Sequence, residues 1–282
     1  SDVCSSDLAD MGTDVLPTVG CAFIGLSEVE NHKVLDALVD QAPLKARNMK
    51  YVHIEGPDRR GIDCALLYNP SLFSVKNVKL LPYVQELAKD SAFFTRGFLT
   101  VRGEMAGDDV AVIVCHWPSR FSGPFYRESA ARQVKVIKDS LLNVNQEMKI
   151  FVMGDMNDDP VNKSMHVYLQ AKPEISQVGA GDMYNPWYNV LAKEGKGTLF
   201  YSGNWNLFDQ IVITPNLLNK DAKKKDYSSL KYWKSHIFRR DYLIQQEGQY
   251  KGAPLRTTAG GRWLNGYSDH LPVVMYLVKE KK

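Results

Sequence analysis

The chain has 282 residues, with 35 Lys and Arg against 32 Asp and Glu, and a formal net charge of +3. Hydrophobic residues make up 44% and charged residues 24%, a balance that excludes a disordered chain, a coiled coil and a collagen-like repeat. So even a charge gives no argument for wholesale coating of nucleic acid, and no apolar run approaches the ~18 residues of a membrane span. The four cysteines, at positions 4, 21, 64 and 115, form no CxxC pair. They read neither as a zinc site nor as a disulfide framework. Cys64 and Cys115 sit inside apolar runs and are expected to be small buried residues.

In chain order, the opening SDVCSSDL has no initiator Met, no basic n-region and no apolar h-region, so no secretory signal is visible. Ser1–Leu8 is expected to be a non-native, adapter-derived segment, and the natural protein is expected to extend further upstream. CAFIGL (21–26) is a continuous apolar run and predicts a buried strand. ENHKVLDALVDQ (30–41) places Val34, Leu35 and Leu38 on one helix face. YVHIEG (51–56), DCALLYN (63–69) and FSVKNVKLL (73–81) read as successive strands. GFLTVRGE (97–104) and DVAVIVCHW (109–117) predict a hairpin. YRESAARQVKVIKDSLLNV (126–144) is the clearest helix, with Ala131, Val134, Ile137 and Leu141 at helical spacing. MKIFVMGD (148–155), LFDQIVIT (207–214) and LPVVMYLV (271–278) read as further strands, and 215–262 as the longest irregular stretch. Nothing separates two domains, so residues 9–282 are expected to form one α/β (α+β) domain with mainly antiparallel sheets packed face to face.

Chemistry-bearing residues sit at strand ends. Asp155 and Asn157 in GDMNDDP follow an apolar strand, and hard oxygen donors of this kind suit Mg²⁺ or Mn²⁺ and a phosphate oxygen rather than zinc. Taken alone, the same residues make an ordinary polar turn. His116 ends a strongly apolar strand, where a single histidine is usually a satisfied structural group. Asp209 lies within an apolar run and demands a partner, because a lone buried carboxylate is costly. Asp269-His270 opens the last strand, and Glu28 ends the first. The series Glu, His, Asp-x-Asn, Asp, Asp-His is far more specific than its parts. No GxSxG, P-loop, GxGxxG or HExxH offers another chemistry.

These residues, in IGLSEVEN, GIDCALLY, VIVCHWPSR, IFVMGDMNDDP, LFDQIVIT and YSDHLPV, resemble the endonuclease/exonuclease/phosphatase superfamily of deoxyribonuclease I-like phosphoesterases. The resemblance runs from Cys21 to Val278. It implies a four-layered α/β sandwich, two central sheets flanked by helices, with the site at one rim. It implies that Glu28 is the principal divalent-metal ligand and Asp269 a further metal-associated carboxylate. Asp155 would orient or deprotonate the attacking water, and is counted among the metal-site residues as well. Asn157 would hold the phosphate, and His116 would bind it or protonate the leaving oxygen. Asp209 would pair with and orient His270, and Asp63 would support His116, one residue out of the family's register. The family begins with a strand bearing an Asn that completes the metal site, and nothing upstream of Glu28 matches it, so the domain is expected to lack that strand.

The substrate is less legible. Lys223, Lys224, Lys225, Lys231, Lys234, Arg239 and Arg240 are interleaved with Tyr227, Tyr232, Trp233 and Phe238, a pattern that suits either a nucleic-acid track or a solvated surface with aromatic anchors. Arg120 and Arg127, just after the His116 strand, are placed to meet phosphates. The leading expectation is metal-dependent hydrolysis of phosphodiesters by a nuclease, with nucleic acid or another phosphoester as partner. The alternatives are a phosphatase or phospholipase-type enzyme for inositol phosphates or sphingolipid head groups, and a non-catalytic binding module of the same fold.

Overall fold

The structure, a computed structural model, describes residues 20–87, 93–221 and 223–280. Ser1–Leu8 and the origin expected for it lie outside the described residues. Strand β1 (Phe23–Val29) leads into helix α1 (His32–Val39). Asn31 caps this helix, its Oδ1 accepting from Lys33 N at 2.9 Å and Val34 N at 3.3 Å. β2 (Lys50–His53) and β3 (Asp63–Tyr68) follow, giving the order β1-β3-β2, all antiparallel.

β4 (Phe73–Leu81), β5 (Phe98–Met105) and β6 (Asp108–His116) form an antiparallel meander. Helix α2 (Pro124–Val144) then returns the chain so that β7 (Lys149–Asp155) lies parallel to β6, the crossover a parallel pair requires. Pro124 starts α2 where its missing N–H costs nothing. β8 (Ala171–Lys172), β9 (Met183–Tyr184), the hairpin β10 (Leu199–Tyr201) and β11 (Asn204–Asn206), and β12 (Asp209–Ile213) come next. The seven-stranded sheet has the order β4-β5-β6-β7-β12-β9-β8. β13 (Lys231–Ile237), the short hairpin β14 (Thr258–Ala259) and β15 (Arg262–Trp263), and β16 (Val273–Val278) complete the chain.

Three apolar cores separate four layers. Leu35 and Leu44 pack with Leu26, Ala65 and Leu67 between α1 and the small sheet. Leu66, Leu99, Val112, Val114 and Met153 fill the space between the sheets. Ala130, Ala131 and Val134 of α2 pack on Ile113, Ile150 and Val152. This is the expected sandwich of sheets flanked by helices.

The sequence reading needs two corrections. Residues 215–262 are not irregular throughout: β13 pairs antiparallel with β16 across Lys231–Ile237. Its Lys-Tyr-Trp-Lys-Ser-His-Ile series has no clean apolar alternation, because Lys234 covers Trp233 and Tyr276 instead of pointing away from apolar surface. The small sheet is also divided. Phe23 of β1 and Val273, Met275 and Leu277 of β16 pack on the inter-sheet core, while Leu26 and Val274 pack on the outer one. The two pieces therefore share one layer, yet among the described residues β1 pairs only with β3 and β16 only with β13. A cavity of about 760 Å³ lies between them, lined by Phe23–Glu28 on one side and Leu271–Leu277 on the other. Phe151, Met153 and Ile211 of the large sheet line it as well.

Candidate active site

Three neighbouring strands end together at one rim of the large sheet. His116 of β6 lies opposite Asp155 of β7 in the parallel pair, and Asp155 lies opposite Asp209 of β12 in the antiparallel pair. Strand register therefore sets the row His116–Asp155–Asp209. His270 closes it, with Nδ1 2.8 Å from Asp209 Oδ2, and Leu199 of β10 bridges to His270.

Asn157 is held at φ 48°, unusual for a residue with a side chain. Its backbone N donates to Asp155 Oδ1 at 2.7 Å and its Nδ2 to Trp117 O at 2.9 Å. Those bonds fasten the turn after β7 to the residue after His116. Glu28 is also at positive φ, 60°, inside a break of register between Leu26 and Val29. A bulge of this kind re-aims a side chain at a strand end, and here the carboxylate emerges 59% exposed at the mouth of the cavity. β1 thus extends past Glu28, where the sequence reading ends it.

The protonation states diverge. Burial pushes the Asp155 carboxyl up, partly offset by His270 and reinforced by Asp209, to about 6. Burial alone would lower His270, but the carboxylates of Asp209, Asp155 and Asp269 outweigh it and raise the imidazole to about 10. His116 is held well below the ordinary histidine value, first by burial and then by the charges of Arg96, Arg60 and His270. Its Nε2 is 3.6 Å from Asp155 Oδ2, and its buried Nδ1 has no hydrogen-bond partner among the described residues. At neutral pH the site therefore holds an imidazolium, a neutral imidazole and an ionised carboxylate.

One cavity brings together Glu28, His116, Asp155, Asn157, Asp209, Asp269 and His270. Three expected residues go elsewhere. Asp63 does not support His116: it accepts from Gly56 N at 2.9 Å and faces His53 Nε2 at 3.1 Å. Arg120 bonds Asn206 and Asp159 and lies over the Phe208 ring. Arg127 is buried, donating to Ser119 O and Gly123 O beside Asp158. None of the named basic and aromatic residues between Lys223 and Arg240 lines the cavity.

Mg²⁺ usually takes one or two protein carboxylates and fills its remaining positions with water and substrate phosphate. Glu28 fits that role, being an open carboxylate whose nearest cation, Arg60 Nη1, is 3.8 Å away. Asp269 is tied to Arg256 and Asp155 to Asn157. Among the described residues no three acids, histidines or cysteines are grouped as a ready-made metal cage.

The sequence reading missed Arg60 and Ser268. Both line the cavity, and Ser268 Oγ accepts from His270 N at 3.1 Å. Arg60 sits in an unremarkable polar turn, and only a contact across the fold distinguishes it.

Solved structures share this fold. TDP2 of Danio rerio complexed with a single-strand DNA product is 12% identical, with a TM-score of 0.56 over 96% of this chain and 92% of that one. A mannosyl-6-phosphatase of Bacteroides thetaiotaomicron is 14% identical, with a TM-score of 0.58 over 91% and 85%. A further endonuclease/exonuclease/phosphatase family protein of that bacterium is 15% identical, with a TM-score of 0.59 over 98% and 89%. Among curated proteins none matches the chain in sequence. The sequence profile of the Endonuclease/Exonuclease/phosphatase family matches residues 5–279, so the chain belongs to that family, the one its strand-end residues resemble.

Proposed function

We propose that this rim hydrolyses phosphodiester bonds with the help of a divalent cation, Mg²⁺ or Mn²⁺, and that nucleic acid is the substrate. The observation that carries the reading is the row His116–Asp155–Asp209 on adjacent strands, closed by the 2.8 Å contact of His270 with Asp209. It offers a carboxylate able to accept a proton beside one positive and one neutral imidazole. A cation on Glu28 supplies charge neutralisation at the phosphoryl oxygens when bound.

The chain's own residues do the rest. Asp155, at about 6, is ionised at neutral pH yet basic enough to take a proton from a water held in the cavity. Asn157 fixes that carboxylate through its backbone N–H. His270, held as an imidazolium by Asp209, presents a positive donor to a non-bridging or leaving oxygen. His116 serves as a neutral donor, since its lowered pKa leaves the imidazole with a single N–H at pH 7. The choice of nucleic acid draws support from the TDP2 structure, which shares the fold and holds a single-strand DNA product.

The test is nicking of supercoiled plasmid with Mg²⁺. Activity abolished by EDTA, and reduced on the order of 10²-fold or more by Asp155→Ala, is the expected result. Absence of nicking together with turnover of a small phosphomonoester would assign the site to a phosphatase. No turnover of either would leave the fold as a binding module.

A further inference from the structure

The cavity mouth is heavily acidic. Glu28, Asp155, Asp209 and Asp269 all line it, and among the described residues Arg60 is the only Lys or Arg that does. A phosphoester is an anion, so a site of this composition gains from a cationic side chain that can reach the phosphoryl oxygens in addition to His270.

Arg60 is carried on a built platform. The carboxylate of Asp58 accepts from Arg60 N at 2.9 Å, and Asp58 O accepts from Gly61 N at 3.0 Å, which closes the turn around Arg60. The same carboxylate takes a 2.8 Å bond from Arg96, and both partners of this ion pair are buried, at 6% and 7% side-chain exposure. Two buried charges repay their desolvation only when further hydrogen bonds satisfy them. Arg96 makes one. Its second guanidinium nitrogen donates to Trp117 O at 3.2 Å, the oxygen that also receives Asn157 Nδ2. One chain of contacts thus locks the Arg60 turn to the strand end bearing His116 and to the turn bearing Asp155.

The head of Arg60 is not locked. Its guanidinium is 58% exposed and lies 3.8 Å from both Glu28 and Asp58, too far for a hydrogen bond to either. A tied base with an exposed, weakly engaged fork leaves the guanidinium available to an anionic acceptor. Resting on the reading of this rim as a phosphoester site, we infer that Arg60 is the substrate-binding cation, its fork moving from Glu28 to two non-bridging oxygens of the scissile phosphoryl group. Arg120 and Arg127, expected from sequence to meet phosphate, are occupied elsewhere.

Inorganic phosphate is the probe. Its binding to the EDTA-treated full chain, measured by calorimetry, is expected to weaken about 10- to 100-fold in Arg60→Gln, the size of a charge-assisted contact. Arg60→Lys should recover part of the loss, since it keeps the charge without the fork. Thermal unfolding should be unchanged in both variants, because the guanidinium is exposed. In turnover, Arg60→Gln should raise KM more than it lowers kcat. Phosphate binding that is undetectable in the unsubstituted chain, or equal in Arg60→Gln, overturns the inference. Arg60-dependent phosphate binding without any phosphoester turnover would instead retain Arg60 as an anion site and reject the hydrolase reading.

Discussion

Asp209 spends its charge on a neighbour. By holding the imidazole of His270 up near 10 while burial lifts Asp155 to about 6, this part of the molecule sets two limits on activity. A profile of kcat/KM against pH should rise as Asp155 loses its proton around pH 6 and fall as His270 loses its proton toward pH 10. In Asp209→Asn the alkaline limb should move toward the ordinary histidine value of about 6.5, while the acid limb moves far less. Stability follows the same groups. A pKa raised on folding contributes stability that is fully present below the unfolded value, so the His270 contribution is complete below about pH 6.5 and lost as the pH rises to about 10. Asp155 acts in the same sense over a lower window, its contribution complete below its ordinary value of 3.8 and lost as the pH rises to about 6. At this scale the sequence was informative wherever a polar residue interrupted an apolar run, as for Asp155, His116 and Asp209. It was silent on Arg60, whose turn carries no periodicity, and misleading on Asp63, whose partner His53 lies on a neighbouring strand and not in the site.

At the scale of the element, what matters is that β6, β7 and β12 end level. Gly154, next to Asp155, lies opposite Cys115 on one side and Gln210 on the other. It adopts φ 128°, and a Cβ there would stand 2.0 Å from Cys115 O. Gly154→Ala should therefore cost about 3 kcal/mol or more, read by chemical denaturation, and any folded fraction should show the row His116–Asp155–Asp209 out of register and inactive. A variant as stable as the parent would show that β7 can shift without consequence. The central strands β6, β7 and β12 were readable because each is a dense apolar run buried on both faces, and the hairpin of β5 and β6 and helix α2 fall within a few residues of their expected limits. β13 was not readable, since its lysines cover aromatic rings and so erase the alternation on which strand recognition depends. The dipeptide strands β8, β9, β14 and β15 are too short to carry any pattern.

At the scale of the whole molecule, four layers stand on three cores, and among the described residues no helix is long and apolar enough to cross a membrane. The sequence made the layers legible but not the division of the small sheet, because pairing partners depend on contacts far apart in the chain. Backbone amides of β1 and β16 that face the 760 Å³ cavity should exchange hydrogen faster than those of β6 and β7, which have partners on both sides. Equal protection would mean that these edges have hydrogen-bond partners in solution. The placement of these edges has a further consequence. An open strand at the outside of a sheet propagates association, since every strand added presents a new edge. Among the described residues, two edges face one another across the cavity. Edges that line a cavity inside one molecule are turned toward each other, whereas an edge at the outside of a sheet is turned toward neighbouring molecules.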